Sequence, residues 1–253
     1  MAGAIIECMD RHAHSRDDPL TPTMTNPNHN EKRMNREEPQ RNALERLREE
    51  ITILRIEGTL FCFDPKEAKH RTGIIRSVMK DADGTERPIS IDIHDRYGQP
   101  SVLAYKVAQA IFYKMTEAGE PYPSVIVFTQ RELARLVGRN TWGGKDSREL
   151  YQAMMQLRRT GITCYVHNKE TRVSVELDFE FITEVMFSSK EKSITECVVQ
   201  VSDVIVASLN RHHSVWLNYQ KLSTLEPIAA AMYKRLFYHF SNTFTSRKAR
   251  SAL

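Results

Sequence analysis

"FTQRELARLVGRNTWGGKDSRELYQAMMQLRRTGITCYV", residues 128–166, holds two amphipathic helical patterns, a glycine-marked break between them and a β-branched run behind. Thr129 stands three residues before Glu132, the spacing of a capping box. Leu133, Leu136 and Val137 make the apolar stripe of a short helix, and Gly138, which tolerates left-handed backbone, stops it. The stretch "RNTWGGKD" turns the chain. Asp146 or Ser147 caps a second helix, where Leu150, Met154 and Leu157 recur at helical spacing and share one face. The opposite face then carries Arg148, Gln152, Met155 and Arg159, flanked by Lys145 and Gln156. This stripe has long donors and no acid, and Glu149 lies to one side. After Gly161 the period becomes two. Ile162, Cys164 and Val166 alternate, residues 167–169 form a tip, and Val173, Val175 and Leu177 return as the second strand of a hairpin.

A helix precedes this unit. "YGQPS" (97–101) is a turn, Ser101 is placed to cap a helix through about Met115, and Leu103, Val107, Ala110 and Ile111 line its inner face. Helix, helix, helix and hairpin is the order of a winged helix-turn-helix, an α+β module that puts its third helix in the DNA major groove and its wing beside the backbone. Arg and Gln suit base edges because they donate in bidentate fashion. Lys169 and Arg172, on the expected wing, suit phosphates. The sequence-level DNA-binding set is therefore Lys145, Arg148, Gln152, Met155, Gln156, Arg159, Lys169 and Arg172. The plainer alternative is a small α+β domain whose exposed helix is basic without contacting DNA.

Charge supports a polyanionic partner. Residues 128–172 carry +5 and residues 207–253 carry +6, although the net charge of the chain is only +4, so the remainder is acidic. The four cysteines, Cys8, Cys62, Cys164 and Cys197, are scattered and suggest neither a disulfide framework nor a zinc site. There is no membrane-length apolar run and no signal-peptide pattern, so a soluble cytoplasmic protein is expected.

The flanks complete the reading. Residues 1–40 are poor in large apolar groups and are expected to be a disordered tail. "RNALERLREEITILRI" places Leu44, Leu47, Ile51 and Leu54 on a helical stripe, with a strand as its alternative continuation. Residues 71–94 read as a hairpin around Asp83-Gly84, with Ile89, Ile91 and Ile93 alternating. "ECVVQVSDVIVASLNRHH" reads as one or two strands through Val199, Val201, Val204 and Val206. "PIAAAMYKRLFYHF" is a strong helix with Pro227 in its first turn. Core packing is the first role for its Ile228, Met232, Leu236 and Phe240, and a homodimer contact the second. The tail "TSRKARSAL" is basic.

No enzyme is expected. His12 and His14 lie in the tail without flanking strand residues. His212 and His213 would point to opposite faces of a strand. No GxxxxGK[ST] phosphate loop occurs. No cofactor or metal is called for.

"YGQPS", "FTQRELARLVG", "SRELYQAMMQLRRTGITCYV" and the later "YQKLSTLEPIAAAMYKRLFYHF" together resemble the RepA-like, winged-helix replication initiators of bacterial plasmids, from about Tyr97 onward. Leu150, Leu157, Gly161 and Ile162 match the recognition segment of that family, and residues 222–240 match the opening of its second module. The resemblance implies tandem winged helices, here with the second incomplete: a first domain over 41–195 with a β-hairpin extension, and the start of a second over 196–253. It also implies initiation of plasmid replication by binding double-stranded origin repeats and engaging host replication proteins. A winged-helix transcriptional regulator is the alternative, and a protein-interaction winged helix the third class.

Overall fold

The computed structural model describes residues 46–80, 85–139, 143–168, 173–190 and 193–250. The expected tail over 1–40, Leu44, the Asp83-Gly84 turn and both Lys169 and Arg172 lie outside these. The described residues belong to one compact unit.

The first described segment departs from its helical spacing. Arg46–Glu50 is a strand, β1, and helix α1 (Ile51–Leu60) follows. Glu50 makes the switch: its backbone stays extended while its carboxylate accepts the Ile53 N–H at 2.8 Å and caps α1. Asp64 caps the short α2 (Pro65–His70) in the same way. The hairpin β2 (Gly73–Lys80) and β3 (Glu86–Ile93) forms as its alternation predicts, with Ile89, Ile91 and Ile93 turned inward. Helix α3 (Val102–Ala118) is buried on almost every side, from Ala104 and Tyr105 to Phe112 and Met115, and is the central post of the unit. Strand β4 (Val125–Thr129) leads into α4 (Gln130–Leu136), which Thr129 caps by accepting the Glu132 N–H at 3.3 Å. Gly138 ends α4 with φ +77°, and Arg139 N–H closes onto Ala134 O at 2.8 Å. Helix α5 (Gly144–Arg159) starts earlier than expected. Gly143 is its cap residue, and Asp146, rather than capping, reaches back to accept the Gly143 N–H at 2.8 Å.

The strands that follow are β5 (Thr160–Asn168), β6 (Val173–Glu180), β7 (Ile182–Lys190) and β8 (Ser193–Val201). They divide between two antiparallel sheets, ordered β2–β3–β5–β6 and β4–β8–β7. The hairpin expected after α5 forms as β5–β6. The β5–β6 hairpin does not join the strand before α4; Ile162 lies opposite Ile91, so the hairpin extends the β2–β3 sheet. It is β8 that returns to β4, with Val199 opposite Ile126. Val204 and Val206 are not in a strand either. Past Ser202 the chain forms α6 (Asp203–Asn210), whose Ile205 and Leu209, four apart, point into the core. Strand β9 (Ser214–Asn218) pairs with β1, followed by α7 (Tyr219–Thr224) and α8 (Pro227–Arg250). The boundary expected at 195/196 falls inside β8, and β8 and β9 both pair with strands from the first half of the chain.

Helix α8 attaches through a buried charge cluster. Lys234, 1 % exposed, donates to Glu49 at 2.9 Å, ion-pairs with Glu57 and lies 4.6 Å from the Tyr105 ring centroid. Two carboxylates share one ammonium. Burial, reinforced by Glu57 and Glu50 and opposed by Lys234, pushes the Glu49 carboxyl up from 4.5 to about 7. The folded protein therefore holds a proton here that the unfolded chain releases near 4.5. Its contribution to stability is full below that pH and is lost as pH rises through about 7. We expect this site to cost about 3 kcal/mol of stability between pH 4.5 and 7.5. Urea unfolding across that window should show the slope in the wild type and lack it in Glu49→Gln. An identical slope in both would remove Glu49 as its source.

Candidate nucleic-acid interface

Helix α5 packs on α3 and on the β7 strand, so protein covers more of its circumference than its apolar stripe alone would suggest. The predicted outer stripe is split as a result. Lys145, Arg148 and Arg159 are exposed. Met155 is 5 % exposed and Gln156 is 3 % exposed, so neither can lie on an open reading face. Gln152 is half-buried and donates to the Tyr97 carbonyl at 2.9 Å.

The loop that takes these glutamines is "YGQPS". Gln156 Nε2 donates to the carbonyls of Tyr97 and Gln99, both at 2.9 Å, and Gln156 Oε1 accepts from Ser101 N–H at 3.2 Å and from its hydroxyl at 3.0 Å. Ser101 thus stands at the α3 cap position but spends its hydroxyl on α5. Gln99 in turn donates to Thr59 O at 2.7 Å. Gly98 is obligatory at φ +69°, where a Cβ would sit 2.3 Å from Ala68 O.

The N-terminal turns of α5 are electropositive for a specific reason. Arg139, from the turn before the helix, ion-pairs with Asp146 and holds Glu149 Oε2 at 2.6 Å. The Gly143 N–H and Arg139 together keep the Asp146 carboxyl below its ordinary pKa. Glu149 is shared between Arg139 and Lys145, whose Nζ lies 4.0 Å from Glu149 Oε1 and which is 88 % exposed, while Arg148 faces solvent. Helix α4 adds exposed Arg131 and Arg135, four residues apart. These two were not among the sequence-level candidates, although their spacing on the polar side of "FTQRELARLVG" was a readable signal.

Arg159 has a different setting. It and Arg158 act on Glu180, whose pKa burial raises and the two arginines pull back. Glu180 belongs to the solvent face of the β2–β3–β5–β6 sheet, where Asp92 and Asp178 also lie around a shallow depression over Gly161. That face is acidic and repels phosphate.

His212 and His213 occupy the turn between α6 and β9, not a strand. His212, at φ +59°, lies 3.0 Å from Arg48 Nη2 and 3.6 Å from Glu120. His213 Nδ1 is 3.1 Å from Glu50 and 3.2 Å from the Ser208 hydroxyl. The same ring nitrogen meets both the acid and the serine, which is not the relay that nucleophilic catalysis uses. Burial alone would raise the Glu50 pKa; His213 and the Ile53 and Thr52 N–H groups outweigh it and hold the carboxyl low. Among the described residues, no group of three His, Cys, Asp or Glu side chains could hold a metal ion, and no helix is long and apolar enough to cross a membrane.

A family model described as "Replication initiator protein A" matches residues 68–240, more than half of the chain. No curated protein sequence matches. Among solved structures, a crystal structure of domains 2 and 3 of RctB is similar with a TM-score of 0.54 at 10 % identity, over 72 % of this chain and 68 % of that one. A second RctB domain 2–3 structure gives a TM-score of 0.47 at 10 % identity, over 70 % and 63 %. At this identity the likeness speaks for the fold, mixed α and β with antiparallel sheets.

Proposed function

The chain belongs to the replication initiator protein A family, and from that premise we propose that it initiates replication by sequence-specific binding to duplex origin DNA, without enzymatic chemistry, through α4 and the first turns of α5. The observation that carries this reading is the exposure of Lys145 and Arg148 at the start of a helix whose Asp146 and Glu149 are held by Arg139, with Lys145 also 4.0 Å from Glu149. Helix N-terminal turns are where recognition helices meet base edges.

The topology favours a winged helix assembled from α3, β4, α4, α5 and the β7–β8 hairpin, with β4–β8–β7 as its sheet. In this reading β5–β6 is an insertion between recognition helix and wing, and the wing is the β7–β8 hairpin, whose last described pair is Lys190 with Ser193. Gln152, Met155 and Gln156 leave the contact set, and Arg159 serves the helix end beside Glu180. Plasmid origin repeats are the proposed target in the cytoplasm, with host replication proteins recruited afterwards and no cofactor needed. Supplying the gene in trans to a replicon that carries only the origin tests this wider claim, and failure to replicate counts against it.

Arg148→Ala is expected to weaken binding to origin DNA by about 1–3 kcal/mol and to relax preference at one base position. Lys145→Ala should weaken all sequences alike and reduce the log–log salt slope by about 0.9. Fluorescence anisotropy over a salt series, with selection from random DNA, reads both. An unchanged consensus for Arg148→Ala would show that α5 is not the reading helix.

A further inference from the structure

The outer face of the β4–β8–β7 sheet is open to solvent and patterned. Helices α4 and α5 cover its other face, where Ile126, Phe128, Cys197 and Val199 are buried. Outward, the register lines Val127, Val198 and Met186 into one apolar row across all three strands, with Val125 beside it. Val125, Val127 and Met186 are 45–56 % exposed, where an antiparallel sheet facing water ordinarily carries polar side chains. Two residues along the strands, on either side of the row, stand Glu184 and Glu196, so a carboxylate borders each long edge. Over the paired segments 125–129, 184–188 and 196–200 these two are the only charged residues.

We propose that this face docks a basic amphipathic helix of a partner protein, seated across the strands on the Val127–Val198–Met186 row. The geometry sets the occupant. Positions two apart in a strand are separated by roughly 7 Å, which puts Glu184 and Glu196 just outside the half-width of an α-helix about 10–12 Å across. A helix on the row presents its apolar stripe to the three strands, and the Lys or Arg residues that border the stripe meet the two carboxylates. Charge selects against other occupants. An acidic helix or a nucleic-acid backbone is repelled at both edges. A second copy of the same face, brought up by a two-fold axis, would enclose four carboxylates and no base. The other exposed apolar side chains, on α8, lie in the acid-free stretch 227–250 and do not attract a basic helix. Because α5 packs on the opposite side of the sheet, the face stays open while that helix meets DNA. The choice of a partner protein rests on the initiation reading; the chemistry of the surface does not.

The probe is a labelled helical peptide of about 18 residues, a leucine stripe edged on both sides by lysine, set against the same stripe edged by glutamate. Fluorescence anisotropy with the full chain is expected to show the lysine-edged peptide binding at least about tenfold tighter. Val127→Lys and Met186→Lys should each weaken it about tenfold or more. Glu184→Gln with Glu196→Gln should erase most of the preference for lysine, whereas Asp178→Asn, on the acidic face of the other sheet, should change nothing. Far-UV circular dichroism should match the wild type throughout, since these side chains lie on outward faces. In the replicon that carries only the origin, Val127→Lys should abolish replication while origin binding by the purified protein stays within about twofold of wild type. Equal affinity for the two peptides, indifference to both lysine substitutions, or normal replication with Val127→Lys overturns the proposal. So does lost origin binding by Val127→Lys, which would assign the face to DNA, or an altered association state in sedimentation, which would assign it to a second copy. A wild type that binds no origin DNA fails the initiation reading instead, and the peptide comparison still decides the surface.

Discussion

Lys234→Met is expected to lower folding stability by about 3–5 kcal/mol at pH 8, the range found when one partner of a buried ion pair is removed. The reason is what stays behind. Glu49 and Glu57 are each about 5 % exposed or less and face one another across the lost ammonium. With Lys234 gone, their mutual repulsion and desolvation are no longer offset, and the anchor between α8 and the β1–α1 segment goes with them. Met fills the aliphatic volume, so the loss reports charge rather than a cavity. Adding Glu49→Gln and Glu57→Gln should recover most of the stability, because the site then carries no charge to desolvate. Urea denaturation at pH 8 measures all three proteins. A Lys234→Met loss below 1 kcal/mol, or no recovery in the triple variant, would mean that the cluster is not the clamp on α8.

Gln156→Leu should cost about 3 kcal/mol, more than removal of an average side-chain hydrogen bond. The leucine keeps the helix and much of the volume but leaves the Gln99 carbonyl and the Ser101 N–H without this partner in a buried site, while Gln152 still serves the Tyr97 carbonyl. Each buried polar group stranded in this way costs about 1–3 kcal/mol. Gln156→Glu should fare no better, since a carboxylate cannot donate to the two carbonyls that Gln156 Nε2 now serves. Hydrogen exchange should show faster opening of residues 97–101 in both variants. Unaltered protection there would show that the loop is held by Gln99 and Gly98 alone.

The same glutamine shows how far the residues could be read in one dimension. Local signals were sound where the partner is local. The Thr129 cap, the left-handed Gly138, the β2–β3 alternation and the helix from Pro227 each depend on groups within a few residues, and each formed as its spacing required. The exposed Lys145 and Arg148 were equally legible, because they lie far from the Leu150, Met154 and Leu157 stripe.

What spacing could not carry was pairing between distant segments. Nothing in "ITCYVHN" states whether its strand joins β3 or β4, since both offer alternating apolar residues; the choice rests on which sheet buries Ile162 and Cys164. That choice put β5–β6 on the β2–β3 sheet and left the β7–β8 hairpin to pair with β4. Gln152, Met155 and Gln156 look solvent-facing when only one face of α5 is counted as covered, and they turn inward because β7 and the loop at 97–101 close on the helix from further sides. Glu50 behaved likewise: a residue within an apparent helical segment became the junction of a strand and a helix, where His213 and Ser208, more than 150 positions away, reach its carboxylate. Periodicity in the chain determined most of the elements, though not the strand at Arg46–Glu50 or the helix at Asp203–Asn210, and where their polar faces begin. Tertiary packing decided which of those faces stay open, because burial is set by every neighbour at once and the sequence displays only the nearest.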